Sequence, residues 1–178
     1  MVLEKNNYAE GMLKGRMAET LVEELLKKSG NVVYRFGYEA IVQNLVQLEK
    51  SFDRYSEVGE RIRAIPDFIV IDKKGEPTFV EVKFRFKPEL NGKEQKRELE
   101  RLDRIHRFWN AKLIFVNCWE QPYFRIADPP YCDKNHNLVL RPLINEKSWQ
   151  IDEKTYAECE ALVHKYLTPT LVPKMNKK

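Results

Sequence analysis

The sequence predicts an α/β domain with a central mixed β-sheet flanked by helices, and three observations carry that prediction. Apolar residues recur at helical spacing in several separate segments. Between those segments lie short runs rich in β-branched and aromatic residues, two of them joined by a turn. No Gly/Ser linker and no internal repeat divides the 178 residues, a length that suits one domain with a sizeable core.

The elements follow in order. From about Tyr8 to Lys28, Met17, Leu21 and Leu25 recur at i+4, Ala18 and Val22 add a neighbouring stripe, and Ser29-Gly30 closes the helix. Residues 31–39, NVVYRFGYE, predict a strand with Val32, Tyr34, Phe36 and Tyr38 on one face. Ile41, Leu45, Leu48, Phe52 and Tyr55 mark an amphipathic helix, read as an insertion at about 40–64. The stretch IPDFIVIDKKGEPTFVEVKFR, residues 65–85, predicts a hairpin turning at Lys73–Pro77 and pairing Asp67–Asp72 with Thr78–Lys83. A helix over 93–109 would bury Leu99, Leu102, Ile105 and Trp109, and KLIFVN at 112–117 reads as a buried strand. Two short strands at 122–127 and 138–141, a Pro-rich loop between them, a helix over 152–167 and a basic tail complete the chain. The whole is read as one domain, 1–178, with a core at about 10–127 and a C-terminal extension at about 128–178.

Composition narrows the function classes. Hydrophobic residues make up 43% and charged residues 33%, which excludes a wholly disordered chain and leaves much charge for a surface. Net charge is +4, with a pI near 8.8, which permits a polyanionic partner without requiring one. Cys118, Cys132 and Cys159 form an odd, scattered set, pointing to a reducing compartment. The N-terminus has no signal-peptide pattern and no apolar run reaches the length of a membrane span. A soluble cytoplasmic protein with no membrane partner is expected, and a homodimer is compatible with these features. Neither Cys132 with His136 nor Cys159 with His164 makes a zinc site, since four ligands are needed and no C-x-x-C pair accompanies them. Trp119, Tyr123, Phe124 and Trp149 are assigned to core packing ahead of base stacking.

The second run of the hairpin carries the chemistry. Side chains alternate across a strand, so Phe79, Glu81, Lys83 and Arg85 share one face and Val80, Val82, Phe84 and Phe86 the other. Taken alone, that pattern describes a strand with one solvated face. Asp67 opens the opposing run, however, and pairing brings it near Glu81 and Lys83 at the open end of the hairpin. Two carboxylates brought together repel unless a cation sits between them, and a hard divalent ion takes oxygen ligands. Lys83 beside them could orient a water or offset developing negative charge. Those are the parts of a metal-assisted phosphodiester hydrolase.

Pro66-Asp67, a short gap, and Glu81-Val82-Lys83 resemble the PD-(D/E)xK nuclease superfamily, which includes many restriction endonucleases and the archaeal Holliday junction resolvases. The stretch KGRMAETLVEELLKKSGNVVYR also resembles that family's first helix, with Glu19 in the place of its helix glutamate. Glu19 borders the apolar arc, whereas Glu23, the reserve candidate, is placed with Lys27 on the fully solvated face. The resemblance implies a restriction-endonuclease-like α-β-β-β-α-β core over residues 10–127 and a metal-dependent DNA endonuclease. It implies Mg2+, with Mn2+ as a substitute, held by Asp67, Glu81, the Val82 carbonyl and Glu19, and water activated by Lys83. The insertion at 40–64 departs from the minimal core, and Gln95 lacks the aromatic partner of the exonuclease branch. Alternatives on the same fold are a catalytically idle nucleic-acid-binding or scaffold domain, and a nuclease for branched DNA or RNA.

Basic residues supply candidate contacts to DNA. Arg61 and Arg63 precede Pro66-Asp67, and Arg85 follows Lys83. Lys93, Lys96, Arg97, Arg101 and Arg104 lean to one side of the helix that follows the hairpin. Glu94, Glu98 and Glu100 are interspersed, so i,i+4 pairing on a solvated face explains that helix about as well.

Overall fold

The computed structural model describes residues 2–37, 53, 55–86, 88 and 92–168, with residues 2–8 described by backbone alone. Helix α1 spans Val2–Lys28, beginning earlier than its apolar pattern indicates. Ala18, Val22, Leu25 and Leu26 are fully buried, one stripe at the spacing of a helix face. Gly30 ends it in the left-handed region at φ 89°, and the N–H groups of Gly30 and Asn31 donate to the carbonyls of Lys27 and Leu26.

Among the described residues six strands follow: β1 (Val32–Arg35), β2 (Phe68–Ile71), β3 (Pro77–Arg85), β4 (Lys112–Asn117), β5 (Phe124–Ala127) and β6 (Arg141–Pro142). The other α-helices among the described residues are α2 (Glu57–Arg63), α3 (Gly92–Trp109) and α4 (Glu153–Tyr166). The strands form one sheet in sequence order, antiparallel except for the β3–β4 pair. A parallel neighbour needs a crossover, and α3 supplies it. The mixed sheet flanked by helices is the architecture the sequence predicts.

Several elements differ from their sequence limits. β1 stops at Arg35, because the N–H groups of Phe36 and Gly37 both turn to the carbonyl of Asp67, at 2.8 and 3.2 Å. Its buried member is Val33, while Val32 and Tyr34 face outward. The amphipathic helix expected from Ile41 to Phe52 lies outside the described residues, as does Tyr38. Tyr55, assigned to that helix, is exposed in a turn. α2, a short helix inside the expected insertion, was not separately foreseen; Ser56 caps it by accepting from Gly59 N–H at 3.1 Å. The strand expected over 138–141 shrinks to a bridge between Cys132 and Leu138 and the two-residue β6.

The hairpin register is also corrected. Phe68 opposes Val80 and Ile71 opposes Pro77, which shifts the expected pairing by two residues. The cause is the turn. Asp72 accepts from the N–H groups of Lys74 and Glu76 and donates its own N–H to the Glu76 carbonyl, so pairing resumes earlier than expected. A shift of two preserves which side chains share a face.

Two cores cover the two faces of the sheet. α1 and α4 pack on the face bearing Val33, Phe68, Val70, Val80, Val82, Ile114 and Ile126. α3 packs on the other, where Leu102 and Ile105 meet Leu113 and Ala127, with Phe79 and Trp109 alongside. The charged face of β3 therefore lies under a helix and is not a simple solvated face. Tyr123, Phe124 and Trp149 are buried, and Trp119 packs against the first core. No helix among the described residues is long and apolar enough to cross a membrane.

Candidate active site

Continuing the β2–β3 register by one step past Phe68 and Val80 sets Asp67 opposite Glu81. Three features fix Asp67 there. Its carbonyl takes the N–H groups of Phe36 and Gly37, its Oδ2 accepts from Val82 N–H at 2.8 Å, and buried Pro66 precedes it. A Cβ at Gly37 would lie 3.8 Å from Asp67 Oδ1, so the backbone after β1 runs beside this carboxyl.

Glu81 is 2% exposed, although a carboxylate is rarely buried unless paired. Its partners are Lys83 Nζ and Arg101 Nη2, the latter at 3.1 Å, and both donate to the same oxygen, Oε1. Lys83 reaches it from two residues along β3, and Arg101 from α3 above. Burial, joined by repulsion from Glu81 and Glu19, pushes the Asp67 carboxyl well above the ordinary carboxylate range, against the opposing pull of Lys83 and the Val82 N–H. Glu19, half-buried on α1, is thus within electrostatic reach of Asp67. The field of Glu81 extends further, raising the Tyr131 phenol, which burial already disfavours as an anion and which donates to Ala111 O at 2.6 Å.

A cleft of about 820 Å³ opens alongside, between α1 and α3, floored by the end of β3. Lys83, Arg85, Arg97 and Arg101 line it, with Glu10, Glu94 and Glu98 among them and Phe84, Phe86 and Phe115 as its apolar part. Lys83 and Arg101 therefore touch both the buried carboxylate and the cleft. Asp67 and Glu19 are not among the cleft-lining residues.

Comparison with protein-family models, curated proteins and solved structures finds no match to this chain. The family resemblance rests on the quoted residues and their placement.

The structure brings Asp67, Glu81, Val82 and Lys83 together, with Glu19 nearby. Glu23 is corrected: it is buried to 9% exposure, bonded to Lys27 and, from β1, to Arg35. Those cations draw its pKa down against the effect of burial, as in a structural ion pair. Arg85 bonds Glu98 at 2.6 Å and lies over the Phe115 ring at 4.7 Å. The guanidinium groups of Arg61 and Arg63 lie over Phe108 and Tyr55. Lys93, Lys96 and Arg97 stand exposed on α3. The Arg101–Glu81 contact is the feature the sequence analysis missed. Its signal was present, since Glu98, Arg101 and Ile105 follow one helix face and a crossover helix must lie over the sheet it connects.

Among the described residues no three His, Cys, Asp or Glu side chains gather into a metal cage. Asp67 and Glu81 nevertheless fit a hard divalent cation in donor type. Burial first, and the nearby Glu81 second, raise the Asp67 pKa, and a cation between the carboxylates would offset both. Lys83 and Arg101 pair with Glu81 at the same carboxylate.

Proposed function

We propose that this chain is a metal-dependent DNA endonuclease with a restriction-endonuclease-like core. One observation carries the proposal: Asp67 faces Glu81 across the β2–β3 pair, and Lys83 links Glu81 to a cation-lined cleft. Asp67 and Glu81 would hold Mg2+, or Mn2+ in its place, assisted by the Val82 carbonyl and Glu19. When bound, that ion would offset negative charge on the scissile phosphate and the leaving oxygen. Lys83 Nζ, released from Glu81, would orient the attacking water beside the phosphate. Arg97 and Arg101 would bind backbone phosphates along the cleft and fix the strand relative to Lys83.

Plasmid nicking tests this directly. Wild type should cleave with Mg2+ and stop with EDTA, while Lys83→Ala and Asp67→Asn should each lose about 100-fold or more. A four-way junction and an RNA duplex assayed alongside would show whether branched DNA or RNA is preferred.

The ion pairs on Glu81 favour a second reading, a catalytically idle nucleic-acid-binding domain in which Lys83 and Arg101 serve only to neutralise a buried carboxylate. DNA binding without cleavage of any of these substrates by wild type would select that reading.

A further inference from the structure

Arg101 occupies an unusual position for a cation on a crossover helix. Its side chain is 55% exposed and lines the cleft, yet its Nη2 donates to a carboxylate that is 2% exposed. The accepting atom is Glu81 Oε1, which Lys83 also holds. Two cationic N–H donors take up lone-pair directions of Oε1 and set two positive charges beside the carboxylate. A divalent ion approaching Glu81 would be repelled by both, so Arg101 and the ion would compete for the same carboxylate. Its other surroundings lie in the cleft, where Arg85 is already committed to Glu98 at 2.6 Å. An entering phosphate would meet Arg97, exposed on α3, and Arg101, whose side chain is held by Glu81 but is half open to the cleft; guanidinium binds phosphate oxygens in a bidentate fork.

We propose that Arg101 is a guard on Glu81 that nucleic-acid phosphate draws away, so that the divalent ion and the nucleic acid bind cooperatively. This rests on the nuclease reading and adds its regulation. With the cleft empty, Arg101 holds Glu81 and disfavours the metal. With a phosphate in the cleft, Arg101 swings to it and Glu81 becomes available to the ion. By reciprocity the metal then strengthens nucleic-acid binding by the same factor.

Mn2+ binding measured by calorimetry and electron paramagnetic resonance tests the proposal without relying on turnover. The proteins are wild type, Arg101→Leu and, as a control within the cleft, Arg97→Leu; the duplex carries non-cleavable phosphorothioate linkages. Wild type should bind Mn2+ about tenfold more tightly with the duplex than without it. Arg101→Leu should bind Mn2+ alone about as tightly as the wild-type complex does, with little further gain from the duplex. Arg97→Leu should bind Mn2+ alone like wild type and keep the gain at higher duplex concentration. Mn2+ affinity without duplex that is the same in Arg101→Leu and wild type overturns the guard, and wild-type nicking in the same preparation shows that the nuclease reading survives. Wild type that neither binds Mn2+ nor nicks plasmid, with or without duplex, overturns both. If Arg101→Leu fails to fold, Arg101→Lys replaces it; its shorter donor should give an intermediate Mn2+ affinity, and wild-type affinity would overturn the guard.

Discussion

Asp67 has its carboxyl raised well above the ordinary range by burial and by Glu81, so folding favours its protonated form. The folded state therefore binds more protons than the unfolded one between the ordinary carboxylate pKa and the raised value. The associated stability is fully present below the ordinary value and is lost as pH rises through the raised one. Asp67→Asn keeps an oxygen to accept from Val82 N–H and removes the charge. Thermal melts in metal-free buffer should show an unchanged or higher Tm for Asp67→Asn at pH 8, with a flatter profile from pH 5 upward. A lower Tm across that range would contradict the repulsion at this site. Saturating Mg2+ extends the test. Any ligand at one hundred times its Kd adds about 2.7 kcal/mol, which wild type should approach and the variant should not. Equal Mg2+ shifts in both proteins would remove Asp67 from the ligand set.

At the scale of elements, α3 connects β3 to β4 in parallel and covers the face that holds Glu81 and Lys83. Its attachment rests on Leu102 and Ile105, both almost fully buried. Ile105→Ala should cost about 2–5 kcal/mol, read by denaturant unfolding, because a buried branched side chain leaves a cavity. Arg97→Ala on the exposed side of the same helix should change stability by under about 0.5 kcal/mol. These elements also divide what was legible in the sequence from what was not. The stripe Ala18, Val22, Leu25 is a local pattern and stands in the structure; the alternation from Phe79 to Arg85 holds as a division of side chains between two faces, but burial does not alternate, since Glu81 is buried like Val80 and Val82. The two-residue register shift depends on how many residues the Asp72 turn consumes, which composition does not count. Glu23 reads as solvated because its i+4 partner Lys27 is local, while Arg35, which closes over it, comes from another element. Arg101 on Glu81 likewise requires knowing which sheet face the crossover helix covers.

Across the whole molecule, a net charge of +4 bears on nucleic-acid binding only through where the cations are free to meet phosphate. Arg85 stands nearest the proposed chemistry in sequence, yet its side chain is 18% exposed, bonded to Glu98 and stacked on Phe115. Moving it to a phosphate would strand Glu98. Arg97 lines the same cleft from the exposed side of α3, with Lys93 and Lys96 on the same helix. Counterion release follows the phosphates neutralised, at roughly 0.9 in log–log slope for each on duplex DNA. Arg97→Ala should therefore weaken binding to unrelated duplexes alike and reduce the salt slope by about one. Arg85→Ala should leave the slope near that of wild type and lower Tm instead, since it unpairs Glu98 and uncovers Phe115. Affinity for a non-cleavable duplex, measured between low and physiological salt for both variants, separates the two roles. A slope reduced by Arg85→Ala and untouched by Arg97→Ala would place the bound strand against the end of β3 and move the interface off α3.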